Sequence, residues 1–179
     1  MPAVAPTLAP RSPWVIAPPK KKIIVGVGEM LVSNDASACI TTYSLGSCVG
    51  VTLYDPVVKV GGLLHAMLPD SSINAERAES RPNMFVDSGL PAMFRAVYAL
   101  GAIRHRIVVK LVGGAEFLDD KKIFNIGRRN VDAAVAMLDR NGIKLSACVT
   151  GGHESRTLHL HLADGRVKLD LPGRKELEL

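Results

Sequence analysis

Residues 41–68 read TTYSLGSCVGVTLYDPVVKVGGLLHAML, and this stretch decides the fold of the chain. It holds two apolar runs, residues 49–53 and 60–65, separated by a polar segment around Asp55. This pattern predicts two strands joined by a turn. Cys48 comes just before the first run and His65 ends the second. Because hairpin strands run in opposite directions, we expect this thiol and this imidazole to lie side by side.

Thiol-based nucleophilic catalysis requires at least a cysteine and a neighbouring histidine. The thiolate attacks, and the histidine lowers the pKa of the thiol and carries its proton. Gly46 and Ser47 precede Cys48 in a turn of small residues, and free backbone N–H groups at such a turn are what an oxyanion hole requires. The residues alone leave a second interpretation open, in which Cys48 packs as a small hydrophobic side chain and His65 is a hydrogen-bonded core residue.

Further motifs follow in a fixed order along the chain. After TYSLGSCVGV at residues 42–51 and GLLHAMLP at residues 62–69 come KLVGGA at 110–115, NIGRRN at 125–130 and TGG at 150–152. This ordered set resembles the CheD family of bacterial and archaeal chemotaxis proteins, and the resemblance extends over residues 23–171. Several motifs in the right order are far more specific than one cysteine.

The resemblance implies an enzyme, a protein-glutamine glutaminase that converts glutamine side chains of methyl-accepting chemotaxis receptors to glutamate. It implies Cys48 as the nucleophile, His65 as the general base and acid, and Thr42 as the group that orients the histidine. The reaction would pass through a thioester, with the oxyanion held at the turn formed by Gly46 and Ser47. Since methanol is also a small leaving group, the same machinery predicts an accessory glutamyl methyl esterase activity.

The resemblance also names partners. The substrate would be the cytoplasmic domain of the receptor, and many members of the family bind CheC, a phosphatase of the response regulator, so CheC is a candidate partner. The resemblance further places Asn125, Gly127 and Asn130 on the active-site side of the fold, where we interpret them as structural.

Composition and charge exclude several other classes. The chain has 179 residues and a net charge of +5, but residues 1–22 carry four basic residues and no acid, so the remaining body is nearly neutral. A nucleic-acid-binding protein would carry a basic face on the fold itself, and we therefore expect no nucleic-acid partner. No apolar run is long enough to cross a bilayer, and prolines interrupt the N-terminus where a secretory signal would be. We expect a cytoplasmic protein.

Residues 1–22 hold six of the eleven prolines and end in three lysines. Proline removes backbone donors and favours extended chain, so we expect a disordered basic tail followed by one folded domain at residues 23–179. Trp14 lies in this tail, where we interpret it as a loosely docked side chain.

Three cysteines without clustered spacing argue against a disulfide framework. Beside Cys48, we expect Cys39 and Cys148 to be buried core thiols. His159 and His161 would point to the same face of one strand, but no third ligand accompanies them. The sequence therefore predicts neither a metal nor a cofactor.

The pattern of the remaining chain predicts a single α+β domain with mixed, mostly antiparallel sheet layers and helices packed outside. The resemblance implies the cysteine hydrolase fold shared with the catalytic domain of cytotoxic necrotizing factor toxins. Helices are predicted at residues 85–100 and 125–141, and residues 69–83 as a polar loop. Further strands are predicted at residues 23–27, 106–112, 143–150, 156–162 and 167–171.

Two functions of other kinds stay open at this point. One is a toxin-like amidohydrolase acting on small GTPases, although no delivery domain or secretion signal accompanies the fold. The other is a binding module in which association with the receptor or CheC matters more than turnover, although the set of Thr42, Cys48 and His65 is intact.

Overall fold

The structure is a computed structural model that describes residues 21–116, 125–173 and 176–179. The predicted disorder of the tail up to residue 20 and the environment of Trp14 lie outside the described residues. Lys21 and Lys22, which the sequence analysis assigned to the tail, belong to the first strand. None of the helices in the described ranges is both long and apolar enough to span a bilayer.

Two five-stranded sheets make up the β structure of the described residues. Their strands are β1 (Lys21–Ile24), β2 (Met30–Ser33), β3 (Ala38–Leu45), β4 (Val49–Asp55), β5 (Val60–Ala66), β6 (Val108–Gly113), β7 (Leu145–Thr150), β8 (Arg156–His161), β9 (Val167–Asp170) and β10 (Leu177–Glu178). The first sheet has the order β1-β3-β8-β9-β10 and the second the order β2-β5-β4-β6-β7. β1 is parallel to β3 and β6 to β7, while the other neighbours are antiparallel.

Two long helices, α2 (Val86–Ala99) and α3 (Ile126–Arg140), match the two that the sequence predicted to within two residues at either end. Gly142 follows α3 with a φ of +63°, the left-handed conformation that commonly ends a helix. The segment predicted as a polar loop contains a short helix, α1 (Ala75–Ser80), because the Asn74 side chain accepts a hydrogen bond from Arg77 N and caps its first turn.

The two apolar clusters of the core show how the layers pack. Ile40 of the first sheet and Leu63 of the second belong to a cluster between the sheets. Leu111 of the second sheet joins Met93 of α2 and Leu138 of α3 in a cluster on its other face. The order of layers is therefore first sheet, second sheet, helices, which confirms the predicted α+β fold.

Burial of the second sheet on both faces explains the sequence of its central strands. Every residue of β4 and β5 is buried. A strand covered on both sides needs apolar residues at consecutive positions, whereas a half-exposed strand alternates. This requirement accounts for the continuous apolar runs in the 41–68 stretch.

The remaining cysteines differ in their environments. Cys39 is buried as predicted, but Cys148 is exposed, so the prediction of a second core thiol is wrong. The reason is topological, since β7 is an edge strand of the second sheet and one side of it has no strand neighbour in the described chain.

A buried carboxylate anchors the end of the hairpin formed by β4 and β5. The Asp55 side chain is fully buried, and its Oδ2 accepts hydrogen bonds from Ile103 N at 2.9 Å and from Arg106 at 2.8 and 2.9 Å. Its Oδ1 accepts from Val57 N at 2.9 Å. Burial alone would raise the pKa of this carboxyl, but the hydrogen bonds from Ile103, Arg106 and Val57 outweigh it and hold the pKa below its ordinary value. Asp55 thus ties the hairpin to the segment that enters β6.

Replacing Asp55 with alanine should lower the free energy of unfolding by about 3 kcal/mol, because a half-buried guanidinium and two backbone N–H groups lose their acceptor. Urea denaturation at neutral pH measures this change. Asp132→Ala removes an exposed partner of Arg128 and is the matched control, expected to shift the midpoint little. Equal midpoints for the two variants would contradict the anchoring role.

Candidate active site

The chain crosses from one sheet to the other in only three residues. β3 ends in the first sheet at Leu45 and β4 begins in the second at Val49, so the turn at residues 46–48 joins the two layers. A break in the pairing register of β3 precedes the turn, and Ser44 within it has a φ of +57°. Such an irregularity bends a strand out of its sheet. Cys48 therefore lies at the edge where the two sheets meet.

All three carbonyl groups of the 46–48 turn are held by the rest of the protein. In chain order they accept from Ala115 N at 2.8 Å, from the Asn130 side chain at 2.9 Å and from Gly114 N at 2.8 Å. The N–H and C=O of a trans peptide point in opposite directions, so these bonds aim the N–H groups of the turn away from their donors. The Cys48 N–H belongs to the peptide whose carbonyl Asn130 holds, so it points away from α3.

Glycines allow the backbones around the turn to approach this closely. A Cβ on Gly113, whose φ is +105°, would lie 2.3 Å from Cys48 O. A Cβ on Gly127 would lie 2.5 Å from Ala115 O. The glycine pair at 113–114 therefore reflects contact with the backbone that carries Cys48, and the KLVGGA and NIGRRN motifs meet behind the turn.

His65 lies near the end of β5, is fully buried, and has one side of its ring fixed by Thr42. The Thr42 Oγ1 lies 2.7 Å from His65 Nδ1 and 2.7 Å from the Val25 carbonyl oxygen. A carbonyl oxygen only accepts, so the hydroxyl hydrogen of Thr42 goes to Val25, and Thr42 Oγ1 accepts from His65 Nδ1–H. This assignment leaves the lone pair of the imidazole on Nε2.

Strand register brings Cys48 and His65 to the same face. Gly50 of β4 lies opposite His65 of β5, and Cys48 is two residues before Gly50. Residues two apart share a face of a strand, so extending the register of β4 by one residue before Val49 puts Cys48 on the face of His65. Cys48 also packs against the cluster between the sheets. The His65 Nε2 is buried and has no hydrogen-bond partner among the described residues.

Burial dominates the protonation of both groups. It raises the pKa of the Cys48 thiol above its ordinary value, an effect that the contact with its own N–H only partly offsets. It lowers the pKa of His65 to about 4. Both shifts favour the uncharged form at neutral pH, because a desolvated site disfavours the charged form of each group. Burial thus acts against the expected lowering of the thiol pKa by His65, and that lowering stays a prediction.

Two residues outside the predicted catalytic set support the site. Asn130 is fully buried and reaches the turn from α3. Arg156 is also buried and donates to the carbonyl oxygens of Gly113 and Gly151, which holds the loops after β6 and β7 together. Asn130 could have been found from the sequence, since it is a polar residue on the stripe of α3 that also carries Ala134 and Leu138.

The histidines of β8 lie away from this site. Leu158 and Leu160 of β8 face the cluster between the sheets, so His159 and His161, which alternate with them, share the opposite face as predicted. On that face His159 contacts Thr41 at 2.9 Å and Asp170 at 3.1 Å.

The chain is similar to known proteins over most of its length. The model for CheD, described as "CheD chemotactic sensory transduction", matches residues 67–170, more than half of the chain. A protein from Syntrophus aciditrophicus named "Probable chemoreceptor glutamine deamidase CheD 1" is 43% identical over 88% of this chain and 98% of its own length. Two further relatives are each named "Probable chemoreceptor glutamine deamidase CheD". The protein from Pyrococcus abyssi is 44% identical over 83% of this chain and 91% of its own length. The protein from Solibacter usitatus is 40% identical over 87% of this chain and 92% of its own length.

The family model begins two residues after His65, whereas the match to the Syntrophus protein reaches further. An alignment covering 157 of 179 residues must contain residues 42–65, where Thr42, Cys48 and His65 lie. The family match and the identities over most of the chain lead to one conclusion: the chain belongs to the CheD family.

Proposed function

We propose that this protein hydrolyses the side-chain amides of specific glutamines on chemoreceptors, giving glutamate, with Cys48 as the nucleophile. The observation that carries the chemistry is the state of His65, whose Nδ1 is occupied by Thr42 and whose buried Nε2 has a lone pair and no partner in the described chain. The names of the relatives support the choice of a chemoreceptor glutamine as substrate.

The first half of the reaction transfers the acyl group to the enzyme. His65 Nε2 takes the proton of the Cys48 thiol as the sulfur attacks the amide carbon. The oxyanion that forms is stabilised by N–H groups of the 46–48 turn. Nε2 then returns the proton to the amide nitrogen, the C–N bond breaks, and ammonia leaves a thioester on Cys48.

The second half regenerates the thiol. Nε2 removes a proton from water as the water oxygen attacks the thioester carbon, and a second oxyanion forms at the same turn. Its collapse breaks the C–S bond, His65 returns the proton to sulfur, and glutamate is released. Through both halves Thr42 keeps the ring in one tautomer, the role of the third member in other catalytic triads.

If the resting thiol and imidazole are uncharged, His65 acts as a general base during the attack rather than as one half of a preformed ion pair. A thiolate paired with an imidazolium would need solvation that the buried site does not provide. The proton therefore moves to Nε2 as the carbon–sulfur bond forms, when the N–H groups of the turn can share the developing negative charge.

The proposed substrate gives the reaction its effect. Each glutamine converted to glutamate adds a negative charge to a helix surface, which changes the electrostatic balance between neighbouring helices. The receptor segment in question is cytoplasmic, so the proposal includes a cytoplasmic enzyme. It also includes CheC as a second partner, which copurification of the two proteins tests.

The same two half-reactions would hydrolyse a glutamyl methyl ester, with methanol leaving in place of ammonia. Purified protein that released no methanol from a methylated receptor, under conditions where it deamidates, would remove this activity from the proposal.

Incubation of a receptor cytoplasmic fragment with the wild-type protein should convert particular glutamines to glutamates, as read by peptide mass spectrometry. Cys48→Ala should abolish the conversion, because no other group in the site can form the thioester. Cys148→Ala is the matched control, since it removes an exposed thiol in an edge strand and should leave the conversion intact.

Each other outcome has a defined meaning. Binding of the receptor without conversion by the wild type would favour a binding module. Conversion of a small GTPase but not of the receptor would favour a toxin-like amidohydrolase.

Alkylation of Cys48 by iodoacetamide should be slow in mildly acidic solution and should accelerate with rising pH through the neutral and alkaline range. Only the thiolate reacts, and burial raises the pKa of this thiol, so its ionised fraction at neutral pH is small. A Cys148→Ser background removes the exposed competitor, and peptide mapping separates Cys48 from the buried Cys39. A rate already maximal in mildly acidic solution would instead reveal a preformed thiolate–imidazolium pair.

Thr42→Val should reduce kcat by about tenfold or more with little change in KM, because the imidazole loses the acceptor that fixes its tautomer. Thr41→Val is the matched control, since Thr41 is equally buried and contacts His159 on the opposite face of the same strand. Similar losses of kcat in both variants would show that Thr42 acts through stability alone.

A further inference from the structure

The Asn130 side chain joins the two segments that carry the proposed catalytic groups. Asn130 is the fifth residue of α3 and is fully buried. Its Nδ2 donates to Ser47 O at 2.9 Å and to Met67 O at 3.0 Å. Ser47 directly precedes Cys48, and Met67 is two residues after His65. One amide group therefore bridges the end of the strand that carries the imidazole and the turn that carries the thiol.

The bond to Ser47 fixes the direction of a neighbouring donor. Ser47 C=O and Cys48 N–H belong to the same planar peptide group and point in opposite directions. With the carbonyl held towards α3, the N–H is held towards the opposite side. The carbonyl groups of Gly46 and Cys48 accept from backbone N–H groups, whereas the carbonyl group of Ser47 accepts from the Asn130 side chain.

The packing of α3 makes this reach available. Gly127 lies three residues before Asn130 and therefore on the same side of the helix. A Cβ at Gly127 would lie 2.5 Å from Ala115 O and 2.7 Å from Gly114 O. Only a residue without a side chain lets the helix come this close to the loop after β6, and the close approach brings Asn130 within hydrogen-bonding distance of Ser47.

The Asn130 side chain is hydrogen-bonded through its nitrogen but not through its oxygen. Both N–H hydrogens of its amide are used, but its Oδ1 is buried and has no hydrogen-bond partner among the described residues. A buried acceptor without a partner costs free energy, about 1 to 3 kcal/mol. Its neighbours on the stripe, Ala134 and Leu138, show that this face of α3 otherwise packs apolar side chains. Buried polar groups of this kind are commonly kept for function.

We propose that Asn130 is a positioning residue, which holds the peptide bond between Ser47 and Cys48 and the end of β5 in one frame so that the Cys48 N–H faces the reacting carbonyl. The inference rests on the proposed function in taking Cys48 as the nucleophile. Asn130 itself does not touch the substrate, because it is buried behind the turn.

Asn130→Leu tests this inference, because leucine keeps the branching of asparagine but cannot donate a hydrogen bond. In receptor deamidation, kcat should fall at least about tenfold, as expected when an oxyanion donor is misaligned, while KM changes less than about twofold. In a Cys148→Ser background, the pH midpoint for iodoacetamide alkylation of Cys48 should move upward, because the thiolate loses an aligned N–H donor.

Leu138→Ala is the control for stability, since it opens a cavity at a fully buried position farther along the same helix. It should lower the melting temperature without moving the alkylation midpoint or reducing kcat. Asn130→Ala serves as a second variant should the leucine fail to fold.

The alkylation measurement needs no receptor, so it decides the inference even if the proposed deamidation fails. An unchanged alkylation midpoint in a folded Asn130 variant would overturn the inference, as would an unchanged kcat. Equal losses of kcat in the Asn130 and Leu138 variants would also overturn it.

Discussion

The three-residue crossing between the sheets is the constraint on which the rest of the site depends. A turn this short has no room to satisfy its own backbone groups, so the carbonyls of residues 46–48 take donors from the loop after β6 and from α3. Those donors can reach the turn only because Gly113 and Gly127 have no side chains. The close approach of the loop after β6 and of α3, and the glycines that allow it, therefore serve the hydrogen bonding of this short turn.

The crossing also explains why His65 is paired with a hydroxyl group rather than with a carboxylate. His65 lies in the second sheet and Thr42 in the first, so the hydrogen bond between them spans the interface that the turn creates. A carboxylate at position 42 would have to be buried between two apolar sheet faces, which is costly without a matching cation. A hydroxyl can fix the ring there and pass its own hydrogen to Val25 O.

Much of the fold could be predicted from the sequence, because long apolar runs and apolar stripes at helical spacing are local signals. The hairpin, both long helices and the α+β class follow from residues close together in the chain. The distribution of the strands over two sheets could not be predicted, since β1 and β2 are adjacent in sequence and lie in different sheets. The buried stripe of α3 singles out Asn130 in the sequence, but its contact with Ser47 joins residues 83 apart, and the contact of Arg156 with Gly113 joins residues 43 apart. Local patterns do not predict these contacts or the exposure of Cys148.

The absence of formal charge on the resting thiol and imidazole has a consequence for how salt acts on this protein. Mobile ions screen interactions between charges, so they have little effect on an uncharged pair. In the proposed reaction, ionic strength therefore acts on the encounter with the receptor rather than on the bond-making steps. The rate of receptor binding would therefore vary with ionic strength, whereas the rate of the bond-making steps would not.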